Sequence, residues 1–166
     1  MSAPISCEIF SDYECPACAA FFIETMPQLT ADYVQTGKVR LLHRDFPLPQ
    51  HRYAHLAAKY ANAAGRAGQY DLVVNQLFRT QRAWDESGDV DTQVMRVLPP
   101  GLLQKVRDLV SQDREESVTA DMLRAREDQI RQTPSLVVVV HGKRQLIAPI
   151  PAYPLLKKYL DSLLAN

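Results

Sequence analysis

Two cysteines, Cys15 and Cys18, stand two residues apart in the segment DYECPAC, with Pro16 and Ala17 between them. Three chemistries suit such a pair: a static disulfide, half of a zinc site, or a dithiol that exchanges with other thiols. The flanking residues bear on the choice. Residues 4–11, PISCEIFS, form a short apolar-rich stretch that reads as a strand. Pro16 suits the first position of a helix, where its missing N–H would have no partner anyway. Cys15 therefore falls at the end of a strand and the mouth of a helix. Unpaired N–H groups and the positive helix end favour a thiolate there. In such settings a thiol can fall from about 8.5 into the range of roughly 3.5 to 7.5. Cys18 follows one turn later on the same face, within disulfide reach. The tilt of the first turn predicts an exposed Cys15 and a covered Cys18, the attacker and resolver that exchange requires.

The other two chemistries are weaker on physical grounds. A disulfide closing so short a loop removes little chain entropy. Zinc needs four ligands, and there is no second C-x-x-C; Cys7, His43, His51, His55 and His141 would have to converge by folding. No metal or other cofactor is expected. Cys7 lies mid-strand and reads as a buried small hydrophobe. Thr133-Pro134, at the entrance to the apolar run SLVVVV, is a natural place for a cis peptide bond. Beside Cys15 such a loop would offer the Thr133 backbone to an extended substrate strand. The plainer alternative is a trans proline that ends a helix.

The elements that must position these residues follow from periodicity. Ala19, Phe22, Ile23, Met26 and Leu29 recur at helical spacing, with Pro27 expected to kink the helix and Gly37 to close it. KVRLLHRDF (38–46) reads as a second strand. From His51 the period is 3.6: one helix through Ala54–Ala64, another through Tyr70–Phe78, and a third capped by Asp89 that LPPG (98–101) breaks. Two more helices are expected around 102–112 and 116–130. SLVVVV (135–140) reads as a strand buried on both faces, His141-Gly142 as a tight turn, and RQLIA (144–148) as its hairpin partner. A last helix carries Leu155, Leu156, Tyr159, Leu160, Leu163 and Leu164. The reading is an α/β chain: a βαβ unit, a helical insertion at about 50–115, then a hairpin and a helix, in one domain spanning 1–166.

With 166 residues, 46% of them hydrophobic, the chain can bury its own core. Its 19 basic and 19 acidic residues balance, so nothing points to nucleic acid or an anionic surface. The longest apolar run, Leu136 to Val140, is far too short to span a bilayer. No leader pattern precedes Ser6. Met1 is equally a native start or the trace of a removed leader or anchor.

The segment DYECPACAAFF resembles the active-site segment of DsbA-like thiol–disulfide oxidoreductases, members of the thioredoxin superfamily with a helical insertion. The likeness continues through RDFPLPQHRYAHLAAKYANAAGRAGQY, LFRTQRAW and QTPSLVVVVHG, in the same order and across nearly the whole chain. It implies a thioredoxin fold, a central mixed sheet flanked by helices, with an inserted all-helical subdomain. It implies Cys15 as nucleophile, Cys18 as resolving thiol, Pro16 and Ala17 as the motif's middle, and Thr133-Pro134 as a cis-proline substrate loop. Protein or peptide thiols would be the substrates, and a membrane quinone-linked partner would re-oxidise the pair outside the cytoplasm; a cytoplasmic location is the alternative. Three positions depart from the family pattern. Ile9 stands six before Cys15, where an acid is common, with Glu8 beside it. Gln132 replaces a glycine before Thr-Pro, and VLPPGLL interrupts the helical block. If Glu8 cannot substitute for the missing acid, proton transfer at Cys18 would rely on solvent or on Glu14, itself read as a solvated charge. The leading reading is a disulfide donor. A reductase or isomerase on the same site, and a binding module with vestigial cysteines, are the alternatives.

Overall fold

The computed structural model describes residues 3–165, so Met1, Ser2 and Asn166 and the chain ends proposed above lie outside the described residues. Strand β1 (Ile5–Ser11) leads into helix α1, one continuous helix made of Pro16–Ala20, Phe21–Thr25, Met26–Leu29 and Thr30–Val34, the second and fourth segments wound as π turns. Strand β2 (Val39–Asp45) follows. Then come α2 (Ala54–Arg66), α3 (Tyr70–Arg79), a 3₁₀ turn (Gln81–Ala83), α4 (Val90–Met95), α5 (Pro100–Gln112) and α6 (Glu116–Glu127). Strands β3 (Ser135–Val140) and β4 (Lys143–Ile147) and helix α7 (Tyr153–Leu164) complete the chain. The sheet order is β2-β1-β3-β4, with β1 parallel to β2 and the other pairs antiparallel.

Alternation along β1 divides the core. Ile5, Cys7 and Ile9 face α1 and α7, packing with Leu29, Tyr33, Leu156 and Leu160. Phe10 faces the other way, with Val137, Ala125 and Ile130 around α6. Helices α2 to α5 share a separate core that includes Cys15, Cys18 and Trp84. His141 and Gly142 both have positive φ, which the two-residue turn between β3 and β4 demands.

Three expectations change. The π turns shift the phase of α1, so Phe21 and Tyr33 are buried while Ile23 is 40% exposed. Pro27 follows the first widened turn, in which Met26 N–H reaches back to the Phe21 carbonyl, so the helix continues past it. Pro100 does not merely break the helical block. It occupies the first turn of α5, where its missing N–H is harmless.

On the α6 face an ion-pair lattice fastens helix to sheet. Arg44 joins Glu8 (3.0 Å) to Asp121 (2.9 Å), and Arg144 joins Glu8 (2.7 Å) to Asp128 (2.5 Å). Asp45 ends β2 within this region. Its N–H donates to Asp121 (3.0 Å), and its carboxylate accepts from Asn62 (2.7 Å). Burial, aided by the charges of Asp121, Asp113 and Asp12, lifts its carboxyl from 3.8 to about 7. A group raised in this way contributes its stabilisation below its unfolded value, and the contribution is lost as pH rises through about 7. Asp45→Asn should therefore gain on wild type at about pH 8.5, by roughly 2 kcal/mol, and show little gain near pH 4. Urea unfolding at both values tests this; an equal difference at the two values would show that Asp45 does not titrate between them.

Candidate active site

The turn between β1 and α1 carries the two thiols. Cys15 is the N-cap of α1, extended at φ −73° and ψ 119°, and Pro16 takes the first helical position. The loop is held from three sides. Cys15 N–H donates to the Asp12 carbonyl (3.1 Å), and Glu14 N–H donates to the Asp12 carboxylate (2.7 Å). From the 3₁₀ turn, the buried Gln81 amide donates to the carbonyls of Tyr13 (2.7 Å) and Cys15 (3.1 Å). Tyr13 stacks on Phe78 of α3, 4.9 Å between centroids, so the helical block also grips the loop through an aromatic contact.

Cys18 is fully buried, as expected, and Pro16 and Ala17 are exposed. Cys15, however, is only 7% exposed, so it is not the open attacker that the first-turn tilt suggested. The loop before β3 covers it: its thiol faces the Thr133 carbonyl at 3.5 Å. Thr133–Pro134 is a cis bond, and this loop does lie against Cys15. A second cis bond, Ala148–Pro149, had no counterpart in the sequence reading.

The environments push the two thiols in opposite directions. The hydrogen bond from the Cys18 thiol lowers Cys15 most; burial opposes it, and Thr133 with the N–H groups of Cys18 and Ala17 adds to it. The result is a fall from 9.0 to about 5. Burial, then the hydrogen bond given to Cys15 and the charge there, drive Cys18 far above the usual thiol range. A thiolate poised beside a protonated thiol is the arrangement that thiol–disulfide exchange needs. The Thr133 hydroxyl is buried without an ordinary partner and favours the Cys15 thiolate. Thr133→Val keeps its shape and should raise the Cys15 pKa by about half a unit to one unit. Titration of the thiolate absorbance checks this, and an unmoved midpoint would remove Thr133 from the site.

The remaining candidates separate. Cys7 is fully buried among apolar residues, and burial pushes its thiol up to about 12. His43 meets Ser11 and Tyr70, His51 pairs with Asp12, and His55 with Glu115. Among the described residues no group of three or more His, Cys, Asp or Glu is placed to hold a metal. Ile9 lies in the apolar core, and β1 pairs regularly along its length, so Glu8 stays on the opposite face. Burial opposes its ionisation, but Arg144 and Arg44 outweigh this and hold the carboxyl below the usual range. Glu8 is thus a locked ion pair rather than a proton carrier. Glu14 is not the solvated charge expected: it is buried, and its carboxylate accepts Tyr53 N–H (2.5 Å) at the start of α2. Burial raises its carboxyl. Asp12 and Gln81 escaped the sequence reading, and His51 entered it only as a possible zinc ligand; the one available signal was Asp12 two residues before Glu14, the spacing of an Asx turn.

Comparison with known proteins gives the family and the fold. The Thioredoxin_4 family, described as thioredoxin, matches residues 1–146. The chain belongs to this thioredoxin family. Two curated relatives are each called probable disulfide bond formation protein D. The one from Bacillus anthracis is 26% identical over 166 residues, covering 96% of this chain and 73% of its own length. The one from Bacillus cereus is 25% identical over 147 residues, covering 82% of this chain, and the chain spans 66% of that relative. The crystal structure of oxidised BdbD from Bacillus subtilis superposes with a TM-score of 0.81 at 19% identity, over 99% of this chain and 89% of that one. The DsbA-like thioredoxin fold expected from the sequence is thereby shown.

Proposed function

We propose that this chain is a protein thiol–disulfide oxidoreductase that passes a Cys15–Cys18 disulfide to protein or peptide thiols. One observation carries the reading: Cys15 is lowered to about 5 beside a covered Cys18 that stays protonated. A stabilised thiolate favours the dithiol form, so the disulfide is the less stable state and is readily given away. The relatives named for disulfide bond formation support the donor direction. The strongly divided thiols weigh against a binding module, because packing alone has no use for that division.

The client thiol enters beside the cis-proline loop. A depression of about 460 Å³ runs there, lined by Ala17, Phe21, Thr133, Pro134 and Ile150, with Glu24 at its side. Its open, mainly apolar form suits an extended segment rather than a small molecule. A disulfide donor works where its product persists, which places it outside the cytoplasm. Re-oxidation by a membrane quinone-linked partner follows from the same reading. Among the described residues no helix is long and apolar enough to cross a membrane.

The test mixes oxidised protein with a reduced, unfolded client. Disulfides should appear in the client as the protein becomes a dithiol, one for one. A protein that only removes disulfides from an oxidised client would be a reductase instead.

A further inference from the structure

Behind Cys18 lies a polar pair with no part in the exchange described so far. Asp12 N–H points at Cys18 Sγ, 3.4 Å away. The Asp12 carboxylate is wholly buried and accepts from Glu14 N–H (2.7 Å) and Leu48 N–H (2.6 Å). Its Oδ2 also pairs with His51 Nδ1 at 2.8 Å, and the His51 side chain is 21% exposed. One residue thus points a backbone donor at the covered sulfur and a buried carboxylate at a partly exposed imidazole.

We propose that Asp12 and His51 form a charge-balanced clamp that sets how readily Cys18 leaves when the Cys15–Cys18 disulfide is opened. The proposal rests on the exchange reading of the two cysteines. In the opening step an incoming thiolate bonds to Cys15 Sγ and the Cys15–Cys18 bond breaks. Its electron pair passes to Cys18 Sγ, which then takes up a proton. Until that proton arrives, the leaving sulfur is a thiolate without solvent. Asp12 N–H is the donor that meets it, as a backbone dipole aimed at developing charge. The carboxylate fixes that N–H by tying it to the Leu48 loop and to Glu14, and it carries a negative charge on the same residue whose N–H meets the sulfur. A proton on His51 cancels that charge. Asp12 acts as a positioning residue through its side chain, and His51 balances its charge.

Other titratable groups bear on the pair. Glu14 shares the loop and feels the charges of Asp12 and His51, Asp45 at the end of β2 feels Asp12, and the Cys15 thiolate lies one turn away on α1. The test follows reduction of the oxidised protein by a small thiol at a single pH, with rates normalised to thiolate concentration. His51→Lys sets a fixed positive charge against the Asp12 carboxylate and His51→Gln removes it, so the disulfide should open about tenfold more slowly in His51→Gln than in His51→Lys. Asp45→Asn should open at the wild-type rate. Alkylation of Cys15 in the reduced proteins does not require Cys18 to leave and should change far less. Equal opening rates in the two His51 variants overturn the proposal, and equal losses in opening and alkylation do so too, since they mark a merely structural role. A wild-type disulfide that no thiol opens at Cys15 overturns the exchange reading itself, before any variant is made.

Discussion

Replacing Cys15 with serine should reduce dithiol–disulfide exchange to the uncatalysed background, a loss on the order of a thousandfold or more. Cys18→Ser should behave differently: the protein still attacks through Cys15 and then stalls as a mixed disulfide. The reason is the division between the two thiols. Cys15 is the one held as a thiolate and the one with any exposure, while Cys18 has none and remains protonated. Mass measurement after mixing with a disulfide-bearing peptide reads both results. An active Cys15→Ser protein, or a mixed disulfide formed at Cys18, would reverse the assignment.

The second large effect is on pH dependence. Cys15 lowered from 9.0 to about 5 predicts that alkylation of the reduced protein keeps its full rate down to near neutrality and falls only around pH 5. The same shift acts on stability. A group depressed in the folded state contributes stabilisation above its unfolded value, and that contribution is lost as pH falls through about 5. The disulfide form has no such group. The reduced protein should therefore out-melt the oxidised one at neutral pH, by on the order of a few kcal/mol, and the gap should close near pH 4. Thermal melts of both forms across pH check the sign. An oxidised form that is the more stable at pH 7 would contradict the donor direction.

Much of the fold is legible because its signals are local. Period two and period 3.6 alternate clearly enough along the chain to order the strands and helices, and the apolar 136–140 run becomes most of the inner strand β3. The cysteine segment and Thr133-Pro134 announce themselves by residue type. What stayed hidden depends on contacts that no local pattern encodes. Gln81 grips the Cys15 carbonyl across 66 residues of sequence, and His51 meets Asp12 across 39. Glu14 looks like a surface charge until α2 packs its first turn against it. Ile23 loses its place in the core because π turns change the helical phase, which a fixed 3.6 period cannot foresee. Cys15 is covered by a loop more than a hundred residues away in the chain, 118 by sequence separation, so its low exposure was invisible in the first turn of α1.

The reduction potential of the Cys15–Cys18 pair, measured at equilibrium with a glutathione buffer, tests the central claim most directly. A thiolate held at about 5 and a protonated, buried partner make the dithiol the favoured state. Pro16 and Ala17 carry no side-chain donor to stabilise that thiolate further, so a donor of intermediate strength is expected. The potential should lie between about −120 and −200 mV, less negative than reducing thioredoxins, with each 30 mV worth about 1.4 kcal/mol. A value near about −270 mV, where thioredoxin itself stands, would make this chain a reductase and contradict the account.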